Sequence, residues 1–131
     1  MSPVPTFTKV LLYTDSDGRS RFRDDAMPMM ASGAIGFLSD VFPARGYQLR
    51  HSPAGYESPF HCSSVPQWVF VLSGIMEIKL IDGETRQFRA GQSFLSQDLL
   101  PDGADFQDGL HGHASRQIGT EPLVTLFVRL S

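Results

Sequence analysis

The sequence has little of what disulfide-linked, membrane-spanning or nucleic-acid-binding proteins need. Cys62 is the one cysteine in 131 residues, so no intramolecular disulfide can form and we expect a reducing compartment. No window reaches the roughly 18 uninterrupted apolar residues of a spanning helix. Eleven Lys and Arg against 14 Asp and Glu give a net charge of −3 with no basic patch, which argues against nucleic acid or anionic lipid as partner.

The first residues also lack the basic region and long apolar run of a signal peptide, so we expect a cytoplasmic protein that does not associate with membranes. What is present is a globular composition, with 41% hydrophobic residues. Twelve Gly and nine Pro favour many turns and an all-β fold over a helical one. The length fits a single domain with a real core.

Short apolar or alternating runs between turn residues predict about eight to ten strands, the pattern of a sandwich or barrel. Asp15 to Gly18 is a strong turn signal that predicts a hairpin. Residues 24–34 carry at most a helical turn, and the long acidic stretch 98–112 is predicted to be a loop whose acidic part, 98–109, is solvated. The predicted strands cover residues 10–13, 20–23, 35–42, 46–51, 68–72, 75–81, 84–88, 92–97 and 122–130.

Polar residues placed just before an apolar strand mark a candidate site. In an extended chain His61 and Ser63 share one face, while Cys62 takes the other face as a small core residue. In the strand that follows, Gln67 shares a face with Val69. An amide among valines needs hydrogen-bond partners, because an unpaired buried amide is costly.

Two further histidines, His111 and His113, close the long loop and share a face if that segment is extended. Histidines together with an oxygen donor could hold a divalent metal, and the candidate ligands are His61, Gln67, His111 and His113. The other interpretation is a polar pocket, with His113 facing the ligand and His111 exposed to solvent. The residues alone leave both interpretations open.

The segment 55–74 resembles the first sequence motif of the cupin family. Gly55, His61 and Gly74 fall on its pattern. Ser63 stands where that motif has its second histidine, and Gln67 stands where it has its glutamate.

The second cupin motif is matched less closely. Gly91 fits, and His113 with Gln117 resembles a displaced end of the motif. A subgroup of small single-domain cupins has an acidic residue like Asp98 ahead of a Gly-His pair, and an early stretch like residues 13–22. The resemblance therefore covers nearly the whole chain.

The resemblance implies an all-β jelly-roll barrel, the cupin-type double-stranded β-helix. We expect one cupin domain over residues 1–131, with an N-terminal hairpin and arm at 1–34 and the barrel at 35–131. It also implies a homodimer formed through edge strands and exposed apolar faces. Cupins bind a metal with three histidines and a glutamate, and this chain keeps His61 and His113 of that set.

The function predicted from this resemblance is small-molecule binding in a pocket inside the barrel, lined by His61, Ser63, Gln67 and His113. A weakly held divalent metal (Zn, Fe, Ni or Mn) is one option. The alternatives are a metal-dependent oxygenase or isomerase, and a non-catalytic sensor or structural cupin. Whether the protein is an enzyme stays open, and in an enzyme His61 or His113 would be the general acid or base.

Overall fold

A computed structural model describes residues 4–131, and in this range the chain is β-structure with one short 3-10 turn and no α-helix. The all-β class is therefore confirmed. The part of the predicted N-terminal lead-in and arm that covers residues 1–3 lies outside the described residues. No helix in the described range has the length and apolar character needed to cross a bilayer.

The strands are β1 (Phe7–Thr14), β2 (Ser20–Met27), β3 (Met30–Ser32), β4 (Gly36–Leu38), β5 (Gly46–Ser52), β6 (Gln67–Ser73), β7 (Ile75–Leu80), β8 (Thr85–Arg89), β9 (Ser93–Gln97), β10 (His113–Ile118) and β11 (Leu123–Arg129), with the 3-10 turn at Gly33–Ile35. One sheet of six strands has the order β2-β1-β9-β6-β11-β5. A second sheet of three strands has the order β10-β7-β8, and β3 pairs with β4 alone. Pairing is antiparallel throughout except between β1 and β9.

Side-chain alternation brings one apolar face of each sheet into a shared core. The larger sheet contributes Leu12, Val69, Val71, Phe94 and Leu123, and the smaller sheet contributes Met76, Ile78, Leu80 and Phe88. Burying one such side chain stabilises the fold by about 1.5–3 kcal/mol. The packing of the two sheets therefore depends on residues that lie beside the candidate site.

The predicted turn after β1 is confirmed. One carboxylate oxygen of Asp15 accepts hydrogen bonds from the backbone N–H groups of Asp17 and Arg19. Gly18 has a φ of 84°, a conformation that favours glycine. This turn fixes the register of the β1–β2 hairpin, in which Thr14 pairs with Ser20.

Strand β10 was not predicted. Its buried positions are His113, Ser115 and Gln117, so the side that faces inward is polar. Hydrophobic periodicity detects a strand only when the buried side is apolar, and this strand lacks that signal.

The segment between β2 and β5 also differs from the prediction. The expected bent strand over 35–42 is reduced to the three residues of β4. The expected helical region at 24–34 contains the end of β2, then β3 and the start of the 3-10 turn. Pro28 separates β2 from β3, because proline has no N–H for a strand ladder.

Candidate functional site

Residues of both sheets line a cavity of about 260 Å³. The four predicted pocket residues, His61, Ser63, Gln67 and His113, all line it. That this cavity binds a small molecule stays a prediction. Cys62 lines the cavity as well, so the expectation that it takes the opposite face is wrong. The chain around Cys62 has only isolated bridges rather than a continuous strand, and simple alternation does not hold there.

His61 and His113 are brought together by their backbones. Each donates its N–H to the carbonyl oxygen of the other, both at 2.9 Å, and their ring centroids are 4.8 Å apart. Gly112 makes this approach possible, since a Cβ there would lie 2.6 Å from the His61 carbonyl oxygen. A residue with a side chain would therefore push the two histidines apart.

Each of the two rings is oriented by an oxygen acceptor at Nδ1. The carbonyl oxygen of Pro59 accepts from His61 at 2.9 Å, and the carboxylate of Asp98 accepts from His113 at 2.7 Å. Because carbonyl and carboxylate oxygens only accept, Nδ1 carries the proton in both rings. In the neutral form of either ring Nε2 is unprotonated, and no described residue forms a hydrogen bond with either Nε2.

Asp98 is fully buried and belongs to a network rather than to a solvated loop. Its carboxylate accepts hydrogen bonds from the hydroxyls of Thr14 and Ser20 as well as from His113. Burial alone would raise the pKa of Asp98, but the hydrogen bonds from His113, Ser20 and Thr14 hold this pKa below its usual value. The β1–β2 hairpin thereby anchors the carboxylate that orients His113.

His61 is held in its neutral form. Partial desolvation lowers the pKa of His61, and electrostatic repulsion from Arg50, and from His113 whenever that ring is protonated, adds to the effect. The hydrogen bond to Pro59 and the charge of Asp98 oppose it without reversing it. At neutral pH this ring is therefore a hydrogen-bond acceptor or a weak base at Nε2.

Ser63 and Gln67 are among the hydroxyl and amide residues that line the cavity, together with Gln48, Ser64, Ser96 and Ser115. The hydroxyls of Ser63 and Ser96 are 2.6 Å apart and share a hydrogen bond. Gln67 lies between Ser96 and Arg129 in the ladder of the larger sheet. Its side-chain amide forms no hydrogen bond with the part of the chain that the structure describes, so it is free to bind a ligand.

His111 does not line the cavity. It is buried, so the expectation that it is exposed is wrong. Its Nδ1 accepts a hydrogen bond from the backbone of Gln107, and its ring lies close to Gly18. The expectation that His111 and His113 share a face is also wrong, because Gly112 between them has a φ of 89° and the segment is not extended.

The donors at the cavity fall short of the metal centre that cupins carry. His61 and His113 supply two imidazoles and Gln67 a neutral amide, but no carboxylate lines the cavity. In residues 4–131 no group of three or more His, Cys, Asp or Glu side chains is arranged to hold a metal ion. Coordination of a metal by His61, Gln67, His113 and His111 stays a prediction.

The chain is similar in fold to solved structures, while no protein-family model and no curated protein sequence matches it. A conserved protein of unknown function from Streptococcus pyogenes is 22% identical, with a TM-score of 0.44 over 71% of this chain and 69% of that one. The cupin domain of Cnp3 from Schizosaccharomyces pombe is 13% identical, with a TM-score of 0.48 over 96% of this chain and 83% of that one.

The thiol of Cys62 is not activated. Burial and the charge of Asp98 raise the pKa of this thiol to about 11. A nucleophilic cysteine needs a lowered pKa, so a thiol of this kind stays protonated at neutral pH. Cys62 contributes shape and an apolar contact to the cavity.

The sequence did not predict three residues of the candidate site: Arg50 and Arg129, which line the cavity, and Asp98, which holds His113. Asp98 was noted only as the start of a motif within a loop expected to be solvated. Arg50 and Arg129 line the cavity from β5 and β11. On β5 the apolar side chains of Tyr47 and Leu49 point outward and are 77% and 62% exposed. The rule that apolar residues face inward therefore predicts the wrong inward face for this strand.

Proposed function

We propose that this protein is a cupin-fold binding protein that takes a small molecule into the cavity between its sheets. The observation that supports this most is the paired arrangement of His61 and His113 at that cavity, each with Nδ1 bonded to an oxygen and Nε2 without a partner among residues 4–131. A concave site with a few converging polar groups on an apolar lining is the usual form of a ligand pocket. Ser63 and Gln67 supply further polar groups to it.

The strand connections support a jelly-roll, or double-stranded β-helix, as the form of this fold. From β5 onward the chain passes between the sheets repeatedly: β5, β6, β9 and β11 belong to the larger sheet, and β7, β8 and β10 to the smaller one. Isolated bridges at Glu57 and His61 add the segment between β5 and β6 to the β10 edge. We propose one domain over residues 1–131, with the barrel at 35–131 and the hairpin and arm at 1–34.

If the protein is an enzyme, His113 is the better candidate for its general base. The Asp98 carboxylate fixes the proton on Nδ1, so Nε2 of the neutral ring can take a proton from a bound ligand. The imidazolium that forms would be stabilised by the same carboxylate. Asp98 is then a positioning residue, and His61 accepts a hydrogen bond from the ligand.

A screen that follows one methyl group tests the binding function. Met76 lines the cavity, whereas Met27, Met29 and Met30 do not. With methyl-labelled methionine, small carboxylic acids, amides, alcohols and sugars are added in turn, and we expect at least one class to shift the Met76 signal alone. His61→Ala should weaken that shift, and His51→Ala on exposed β5 should leave it unchanged. A Met76 signal that no class moves would overturn the proposal.

A metal-dependent oxygenase or isomerase is the alternative function, and metal analysis separates it from simple binding. The protein is purified without a histidine tag and titrated with Zn²⁺, Ni²⁺, Fe²⁺ and Mn²⁺. Uptake of one metal per chain that is lost in both His61→Ala and His113→Ala would favour the metal centre. Ligand binding without metal uptake would favour the binding protein. If the bound molecule is also not converted to a product, a non-catalytic sensor role is favoured.

We also propose a homodimer formed through β5, in a cytoplasmic setting that keeps the thiol of Cys62 reduced. In the six-stranded sheet β5 is an end strand with β11 as its neighbour, and its outward side chains include Tyr47 and Leu49. An antiparallel pairing of two β5 strands about a twofold axis would complete the ladder and cover these side chains. Trp68 stacked on Phe70 continues the outer apolar surface on β6.

A further inference from the structure

The charge of the cavity differs from that of the protein. The chain carries a net charge of −3, yet no Asp or Glu lines the cavity. Two arginines do, Arg50 from β5 and Arg129 from β11, together with His61 and His113 from the opposite side. Clefts lined by one sign of charge concentrate ligands of the opposite sign.

Neither arginine is neutralised by the protein. Within the described residues no carboxylate lies within 4.0 Å of Arg50 or Arg129, although Arg21, Arg86 and Arg116 all have carboxylate partners. Arg50 is instead held by an aromatic residue: its guanidinium stacks 4.7 Å from the ring centroid of Tyr56 and donates a hydrogen bond to the Tyr56 hydroxyl. This fixes the side chain while leaving its charge uncompensated.

Asp98 carries the negative charge nearest to His61 and Cys62 at the cavity. Its carboxylate lies behind His113 and accepts hydrogen bonds from Thr14, Ser20 and His113, and it pairs with neither arginine. Among the described residues, the two arginines of the cavity lining therefore have no carboxylate partner.

The register places these charges at opposite ends of an apolar strip. Three successive rows of cross-strand neighbours lie on the inward face of the larger sheet. Arg129 is beside Gln67 in the first row, and Phe127 is beside Val69 in the second. Arg50 is beside Thr125 in the third. From the smaller sheet Met76 and Ile78 face the strip. Gln48 lies beside Phe127 and also lines the cavity. The cavity of about 260 Å³ thus combines an apolar patch with two solvent-exposed arginines and fits a compact molecule.

We propose that the ligand of this cavity is a small organic carboxylate with a compact apolar body, whose carboxylate is bound by Arg50 or Arg129. The inference rests on the proposed binding function and names its ligand class. A guanidinium offers two parallel N–H donors that match a carboxylate. The apolar strip favours an organic acid over inorganic phosphate, which would leave it uncovered.

The test compares acids with their neutral counterparts. Acetate, isovalerate and benzoate are titrated against the methyl signal of Met76, each beside its amide, with inorganic phosphate as a further probe. We expect isovalerate or benzoate to bind about tenfold or more tightly than its amide, and to bind more weakly as salt increases. Arg50→Gln or Arg129→Gln should weaken acid binding by about tenfold and leave amide binding nearly unchanged. Arg89→Gln, outside the cavity, should change neither.

The outcomes separate the two proposals. Equal binding of acid and amide, or acid binding that neither arginine variant weakens, overturns the carboxylate inference while the binding function stands. Binding of phosphate in preference to all three acids also overturns it. If none of the probes moves the Met76 signal in the folded protein, the carboxylate inference fails, and the wider screen decides the binding function.

Discussion

His61 and His113 form an antiparallel backbone pair in which both N–H···O hydrogen bonds measure 2.9 Å. This pair joins the segment before β6 to the first residue of β10, two regions far apart in the sequence. It holds the two imidazoles side by side at the cavity wall without any direct bond between the rings. The site therefore depends on a backbone contact as much as on its side chains.

Gly112→Ala should disrupt this contact and destabilise the protein. The position has a φ of 89°, and the new Cβ would lie 2.6 Å from the His61 carbonyl oxygen and 2.9 Å from its nitrogen. The matched control is Gly119→Ala, where φ is 83° but nothing lies within 4 Å. Each variant should lose about 1–3 kcal/mol from backbone strain, and Gly112→Ala should lose more. Chemical denaturation measures both, and equal losses would contradict the close approach.

Asp98→Asn should destabilise the fold and free the His113 ring. The two oxygens of the buried carboxylate together accept three side-chain hydrogen bonds. In asparagine one of these oxygens is replaced by an NH2 group, which can only donate, so at least one of the three bonds is lost. We expect a loss of about 1–3 kcal/mol in the free energy of unfolding. Nitrogen NMR of His113 should report loss of the fixed Nδ1–H tautomer. Asp102→Asn in the exposed part of the same loop is the control, and an unchanged His113 tautomer in Asp98→Asn would contradict the network.

Part of the larger sheet could be predicted from the sequence, because β6 has an apolar run and the Asp15 turn has a clear signal. The site was predicted in part: His61, Ser63, Gln67 and His113 all reach one cavity. Strand β10 was not predicted because its buried side is polar. The burial of Asp98 escaped because its partners, Thr14 and Ser20, are more than 75 residues away in sequence. When a buried polar group has its hydrogen-bond partners far away in the sequence, the residues next to it in the chain do not indicate that it is buried.

The stability of the protein should fall as the pH drops below about 6.5 because of His61. The folded state holds the pKa of His61 below its ordinary value of 6.5, so the unfolded chain binds protons more readily than the folded chain. This contribution is present above pH 6.5 and is lost as pH falls through the lower, folded-state pKa. His61→Gln should flatten the pH dependence in this window, while His51→Gln should not. An unchanged slope in His61→Gln would contradict the prediction.

A second loss of stability should follow at more acidic pH. The pKa of Asp98 is held below its ordinary value of 3.8, so its contribution is complete above that value and disappears as pH falls through the folded-state pKa. Asp98→Asn should remove this component and leave the His61 component in place. Unfolding curves of both variants between about pH 7 and pH 2 distinguish the two groups.

Leu49→Lys should break the proposed dimer without unfolding the monomer. Leu49 is 62% exposed on β5, so a charged side chain there does not disturb the core but would repel a second β5 edge. Leu38→Lys is the matched control, since Leu38 is 49% exposed on β4, which pairs with β3 and not with β5. Sedimentation velocity should give a dimer for the unmodified protein and for Leu38→Lys, and a monomer for Leu49→Lys. A monomer in all three would rule out the β5 dimer, and a dimer in all three would place the interface on another surface.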